Sequence, residues 1–401
     1  MRRKKGTVRN WIPFMLLFII CFLAIVVFLV ADQRYREKNK ALYGDEMEFY
    51  LNCMEEEKEW IASQQGEEGV IYLYELGEDE SGSVVPYFSC LAALGMLAGN
   101  PGEEELQIVA NYLNWHSEKL VKSDGIISDY RVTLEGLESK ETYDSVDSYI
   151  ALYLNLLATY VQKGGSLKEI PYAEAATELC VLRLTEISEN GLTKVSKEKE
   201  VYYLMDNLEV LEAYEKMYGL MNSENEELEN WKNKDSLESF FKQATKTGRK
   251  EIKESFWNSE GERFEIGMDS DFSYLNFHGM EEFYPYAIVQ VYPVACGMYL
   301  TKKENIEKLY SELSKEHPWQ TLELEEDFEW PVLSYIAVQL GDIESAQEYL
   351  ENYRRKYAKD RSYPFHTANA GWAVRAYAEL YDYYEEKVNQ GLLDVIMEKF
   401  K

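Results

Sequence analysis

Asp144 and Asp147 stand three residues apart at the head of a segment, Tyr149–Leu157, that turns largely apolar. Residues at that spacing share one face of a helix. A helix apolar on all sides is buried on all sides, so two carboxyls open a core helix. They serve either as an N-cap with its reciprocal partner or as part of an acid/base pair. The helix dipole favours the ionised form at this end, which suits a base or nucleophile. A matching acid belongs in a drier place, and Asp129 beside Tyr130 and Glu329 beside Trp330 are the candidates. Asp206-x-x-Glu209 repeats the spacing further on. Tyr202 to Met205 precede it, so Asp206 is expected about one turn inside its helix, where a cap role is harder to assign.

The elements that must hold these acids are helices, and they alternate in character. Pro86–Leu97 is almost wholly apolar and stops at Gly99, whereas the next helix carries a single stripe of Leu106, Val109, Ala110 and Leu113. The same buried-then-striped pairing recurs with Asp144–Lys163 and Tyr172–Leu184, then Tyr202–Tyr218 and a helix capped at 223–226. It continues with Pro285–Leu300 and a helix after Thr301, Trp330–Leu340 and a helix capped by Asp342, and Thr367–Tyr384 and a short terminal helix. Six such pairs of unequal length predict an all-α fold, an (α/α)6 toroid of six helical hairpins preceded by one N-terminal transmembrane helix. An open α-solenoid and a two-domain helical protein are the alternatives.

In a toroid the inner helices run parallel. The turns from buried to striped helices are short. The returns are long: 122–142, 189–201, 248–282, 317–329 and 358–366. All the long loops therefore gather at the N-termini of the inner helices, and long loops on a rigid scaffold are where function sits. Besides the acids, this places Tyr130, Tyr143, Tyr203, Asp206, Asn207, Tyr284, Trp330, His366 and Trp372 in one region, the candidate binding residues. Acids and amides for hydroxyls, with rings for the apolar face of a pyranose, describe a carbohydrate site.

Composition narrows the class. The chain has 401 residues with 42 basic and 72 acidic; nine of the basic and two of the acidic fall in the first forty, so the remainder carries −37. Such a body repels phosphate backbones, and no nucleic-acid partner is expected. Five scattered Cys without a CxxC pair read as buried free thiols, and four scattered His argue against a metal site. No phosphate-cradling glycine loop occurs, and no cofactor is expected. Residues 11–31 carry no charge and are long enough to cross a bilayer, after the basic stretch RRKKGTVR. This predicts a cytoplasmic tail at 1–10, an uncleaved signal anchor at 11–31, a stalk and extra helix at 32–64 and a toroid at 65–401. The protein is then single-pass in the cell membrane with its large domain extracytoplasmic. A cleaved signal peptide is the rival reading.

YDSVDSYIALYL, YYLMDNLEVLEAY and FYPYAIVQVYPVACGMYL, in that order on successive inner helices, resemble bacterial six-hairpin glycosidase-like proteins, (α/α)6 toroids distantly akin to family 8 glycoside hydrolases. The likeness covers roughly residues 65–400. It implies a glycan-cleaving pocket at the inner-helix N-termini, acting on an extracellular polysaccharide. Family 8 enzymes carry a Glu general acid at the start of the first inner helix; here that helix opens Ser83-Val84-Val85-Pro86-Tyr87, with Glu78, Asp79 and Glu80 upstream. Two functions follow from different classes: a membrane-anchored glycoside hydrolase using carboxylate acid/base chemistry, or an inactive toroid that binds glycan or scaffolds surface polysaccharide assembly.

Overall fold

The computed structural model describes residues 11–77, 81–322, 330–361 and 364–399. The fold is an all-α (α/α)6 toroid. Packing divides the chain into two units, residues 1–52 with 380–401, and Cys53–Glu379.

The larger unit holds the toroid. Helix α1 is Ile12–Ser63, α2 Pro86–Met96, α3 Glu103–Lys122, α4 Val146–Gln162, α5 Ala173–Ile187, α6 Leu204–Met221 and α7 Lys234–Phe256. The four-residue α8 (Tyr292–Ala295) is followed by α9 Lys303–Glu316, α10 Val332–Leu340, α11 Ile343–Tyr353, α12 Thr367–Asn389 and α13 Leu392–Glu398. The inner helices are α2, α4, α6, α10 and the first part of α12; α4 buries nearly every residue from Val146 to Val161. In α3, α5, α7, α9 and α11 the buried residues form one stripe. Along the ring, α4 packs on α2 and α6, α6 on α7, and α10 on α8 and α11. Alternation of all-round and one-sided apolarity thus sorts the helices into two layers.

Three local expectations differ from what forms. The fourth inner segment is not one helix: a π-turn over Phe283–Ala287 and a 3-10 turn over Ile288–Gln290 precede α8. Pro285 and Pro293 lack the N–H that a continuous helix needs. The stalk and extra helix expected at 32–64 are the end of a single helical run, Ile12–Ser63, without a separate stalk. Its last turns are not extra to the ring. Cys53, Met54, Glu57, Lys58 and Ile61 form a buried stripe, and they take the outer place between α11 and α3. Glu57 accepts from Tyr353 Oη at 3.1 Å and from Arg361 at 2.5 Å, Arg354 reaches Glu56 at 2.8 Å, and Lys58 pairs with Glu105 at 3.7 Å.

The ring closes where α2 meets α12. A Cβ on Gly95 would fall 2.5 Å from Gly371 Cα, and one on Gly371 would run into the backbone of Leu91 and Ala92. Backbone, unlike a side-chain tip, cannot rotate away. Gly371→Ala is therefore expected to destabilise by about 2–3 kcal/mol, several degrees in melting temperature by circular dichroism. Gly136→Ala is the contrasting control for space: nothing lies within 4 Å of its would-be Cβ, although its positive φ adds local strain.

The long returns hold short β ribbons. Strand β1 (Gly82–Val84) pairs antiparallel with β2 (Tyr130–Thr133), which pairs with β3 (Gly136–Ser139). Two-residue ribbons join Tyr202–Tyr203 to Gly267–Met268 and Ser188–Glu189 to Leu192–Thr193. They stiffen loops that lead into α2, α4 and α6.

In the smaller unit, Asp32 accepts from Arg36 Nε at 2.9 Å and from Leu392 N at 2.7 Å, and Tyr50 stacks on Tyr384 at 5.7 Å between ring centroids. The stretch from residue 13 onward in α1 is long and apolar enough to cross a membrane, the only such helix among the described residues. The same length and composition fit a signal sequence.

Candidate active site

Every inner segment feeds one cavity of about 440 Å³ from its first turns or its lead-in. Val85, Tyr87 and Phe88 come from the start of α2, and Asp144, Ser148 and Tyr149 from the start of α4. Met205, Asp206 and Glu209 come from α6, Tyr284 and Tyr292 from the broken fourth segment, Trp330 from the lead into α10, and His366, Ala368, Asn369 and Trp372 from α12. Asp129 enters from the loop before β2. The inner segments thus point the same way, and among the described residues four carboxyls share one cavity: Asp129, Asp144, Asp206 and Glu209.

Local chemistry fixes each of them. The cap of α4 is Ser145, whose Oγ accepts from Ser148 N at 3.3 Å. Asp144, one residue earlier, is thereby left exposed at the rim. Asp129 is held on both sides: its N–H donates to Thr142 O at 2.7 Å, and its Oδ1 accepts from Tyr149 Oη at 2.9 Å. Burial, against the opposing Tyr149 hydrogen bond and the pull of Lys140, and then repulsion by Asp144, leave its pKa above the usual carboxyl value.

Asp206 sits in the first turn of α6, half-buried, and among the described residues it makes no side-chain hydrogen bond. Burial, then the nearby charges of Asp147, Glu209 and Asp144, push its pKa well above the ordinary value. Glu209 lies one turn deeper and is 3% exposed. Tyr87 Oη and Tyr292 Oη both donate to its Oε1 at 2.6 Å, while its Oε2 is buried with no partner among the described residues. Burial dominates over these two bonds and raises its pKa to about 8.

That raised value has a consequence for stability. An unfolded Glu ionises near 4.5, but the folded protein holds the proton to about 8. Below 4.5 both states carry it and there is no effect; between 4.5 and 8 folding must recapture a proton the unfolded chain has released. Stability therefore falls as pH rises through that window. The melting temperature of Glu209→Gln is expected to fall less between pH 5 and pH 8 than that of the parent, in a scan at constant ionic strength.

Rings complete the lining. Tyr284 and Trp330 lie 5.1 Å apart, and Phe88 and His366 4.5 Å apart, between centroids. Tyr284 is 55% exposed, a large ring left open to a ligand. Asn369 Oδ1 accepts from His366 N at 2.9 Å, the returning half of a capping box that sets both at the cavity wall. Burial lowers the His366 pKa to about 4, so the ring is neutral at pH 7, and its Nδ1 is buried without a partner among the described residues.

Of the residues expected from sequence, Asp129, Asp144, Asp206, Tyr284, Trp330, His366 and Trp372 meet in the cavity. Asp147, Asn207, Tyr130, Tyr143 and Tyr203 lie elsewhere. Asp147 is fully buried behind it, accepting from Thr193 Oγ1 at 2.9 Å and Ser148 N at 3.0 Å, with its pKa raised to about 6 by burial. Asn207 Oδ1 accepts from Thr193 N at 2.8 Å, and its Nδ2 donates to Thr193 O and Tyr203 O; it ties a loop to α6. Tyr130 packs on Trp115 at 5.6 Å. Tyr143 lines a separate pocket of about 40 Å³, and Tyr203 lies under Lys199 at 5.4 Å. Glu329 and the acids Glu78, Asp79 and Glu80 lie outside the described residues. Sequence reasoning missed Tyr87, Tyr292 and Glu209 as a unit. The available signal was Glu209 itself, an acid in register with Asp206 on a helix whose neighbours Leu208, Val210 and Leu211 are all apolar.

No family model and no curated protein matches this sequence. Solved structures do match in fold. A wild-type glycosidase aligns with TM-score 0.56 at 10% identity over 85% of this chain and 98% of its own. A glycosidase variant in complex with glucose aligns with TM-score 0.55 at 10% identity and the same coverage. An unsaturated glucuronyl hydrolase specific for heparin aligns with TM-score 0.51 at 10% identity over 85% of this chain and 97% of its own. At this identity the likeness is one of fold, the (α/α)6 toroid, alone.

Proposed function

We propose that this protein is a glycoside hydrolase acting on a polysaccharide, held at the membrane by residues 11–31 with its toroid outside the cytoplasm. The observation that carries the reading is the convergence of four carboxyls in different environments, with exposed and half-buried rings, in one cavity of a toroid. Glycoside cleavage needs a protonated carboxyl at the leaving oxygen and a second carboxyl at the anomeric carbon or its attacking water. Asp206, without a side-chain hydrogen-bond partner among the described residues and with its proton held by burial and neighbouring charge, is assigned as the acid. This moves the acid from Asp129, which Tyr149 anchors beside it. Asp144, exposed at the rim, is assigned as base or nucleophile. Asp147 supports α4 and the Thr193 loop from behind, a positioning role. Tyr284 and Trp330 offer the platform for a sugar ring.

A second reading, glycan binding or scaffolding without hydrolysis, draws support from the start of α2, where Val85, Pro86 and Tyr87 stand in place of an acid. The experiment that separates them is release of reducing ends from a panel of polysaccharides by the full chain in detergent. Turnover supports the hydrolase; saturable binding with no product supports the second reading; neither binding nor product removes both.

A further inference from the structure

The last helix of the chain turns an apolar face outward. In α13, Leu393, Ile396 and Met397 are 56%, 45% and 56% exposed. Spaced at i, i+3 and i+4, they share one side of the helix. Leu392 and Val395 are half-buried, and Asp394 serves the helix's own start, its Oδ2 accepting from Gly391 N at 2.7 Å. Side chains of this kind ordinarily lie against something apolar.

Contacts within the smaller unit fix where that face lies. The last turns of α12 run back along α1: Tyr384 stacks on Tyr50, its ring lies 6.2 Å from that of Tyr43, and Lys387 Nζ lies 5.9 Å from the Tyr43 ring. Arg36 Nη1 then donates to Asn389 O, Asn39 Nδ2 to Gln390 O at 3.1 Å, and Leu392 N to Asp32 Oδ1 at 2.7 Å. Asp32 directly follows the uncharged run 11–31. Seven residues of helix beyond that point extend only about 10 Å, so the apolar face of α13 stays near the level at which the run ends. The run itself is apolar and open, with Trp11, Phe18 and Val27 70%, 73% and 68% exposed, and acyl chains cover such a surface where a helix crosses a bilayer. Charge fits the same environment. Arg34, Lys38 and Lys40 are exposed just outside the run, on a chain that is otherwise strongly acidic, and basic residues in that position attract anionic headgroups.

We propose that α13 is an interfacial helix: it lies at the outer surface of the bilayer with Leu393, Ile396 and Met397 set into the boundary between headgroups and acyl chains, a second membrane contact besides the anchor. This rests on residues 11–31 being retained in the bilayer, as proposed above. A helix of this kind sinks its apolar face about 5–10 Å below the headgroups, far shallower than the middle of the span. Asp394 and Lys399 then keep to the watery side, and the Asp32 and Arg36 contacts hold the start of α13 against the end of the span.

The test uses the full chain in vesicles of phosphatidylcholine with phosphatidylglycerol, with an environment-sensitive fluorophore on one cysteine at a time. Cys21 is exposed at the middle of the run and the other four cysteines are buried, so the native chain reports the span. Leu393→Cys and Met397→Cys, each with Cys21→Ser, report α13, and Glu386→Cys in the same background reports an exposed position on α12. Quenching is read with a lipid nitroxide placed either near the headgroups or near the chain ends, and with acrylamide in the water. The labels on α13 are expected to be quenched most by the headgroup-proximal nitroxide, and about tenfold less by acrylamide than the label at position 386. The Cys21 label is expected to be quenched most by the deep nitroxide. Adding Ile396→Gln and Met397→Gln is expected to return the label at position 393 to the acrylamide accessibility of position 386, with the thermal melt unchanged because both side chains are exposed. Labels on α13 as open to acrylamide as position 386 overturn the interfacial helix. So do labels shielded from acrylamide yet untouched by lipid nitroxide, the result that a partner protein or a second copy would give. In both cases deep quenching at Cys21 leaves the anchor standing, whereas a Cys21 label open to water overturns the anchor and this inference with it.

Discussion

Asp206→Asn is expected to lower turnover about 10³-fold on an unactivated glycan while changing KM little, because Asn is nearly isosteric but has no proton to give the leaving oxygen. Burial and three neighbouring carboxyls keep that proton on Asp206 in the parent protein. Two further measurements follow from the same chemistry. An aryl glycoside whose leaving group needs no protonation should recover most of the lost rate in Asp206→Asn. The pH dependence should also change: parent activity falls as pH rises through the elevated pKa of the acid, and the variant should lose that limb. A substitution that merely damaged the fold would show neither effect.

Asp144→Asn is the second large expectation, again a loss of about 10³-fold, but with the opposite substrate dependence. Asp144 sits at the rim, freed from capping because Ser145 takes that task, and is placed to attack or to activate water. An activated leaving group does not replace that function, so aryl glycosides should remain poor substrates for this variant. A small external nucleophile such as azide should restore turnover if Asp144 attacks the anomeric carbon directly. The anomeric configuration of the parent's own product distinguishes the roles: retention marks a nucleophile and inversion a base. If both variants respond alike to the aryl substrate, the division of roles between Asp206 and Asp144 is wrong.

Much of the scaffold was legible because its signals are local. Buried helices such as α4 read as apolar on every side, and their outer partners carry one stripe. Gly341 in a left-handed conformation and Asp342 accepting from Ser345 N at 3.2 Å mark the turn between α10 and α11, as their residue types predict. The gathering of long returns at one end also followed, since parallel inner helices leave no other place for them. The parts that were not legible depend on distant contacts. Nothing in the sequence near residues 53–63 tells that this stripe faces α11 and α3, some three hundred residues and some fifty residues away. The cap of α4 fell to Ser145 and not to Asp144, the acid that the spacing offered, and this leaves Asp144 at the rim and Asp147 buried behind the cavity. Glu209 was legible as an acid in register with Asp206, but its tyrosine partners come from α2 and α8, which no local pattern connects. Prolines at 285 and 293 marked the break in the fourth segment, and the apolar run around them concealed it.

The most direct measurement is a crystal structure of the Asp206→Asn protein with an oligosaccharide that the parent cleaves. The account predicts a sugar ring against Tyr284 and Trp330, with the glycosidic oxygen about 3 Å from the side chain at position 206 and Asp144 on the opposite side of the anomeric carbon. An oligosaccharide bound outside this cavity, or one whose glycosidic oxygen meets neither residue, would contradict it.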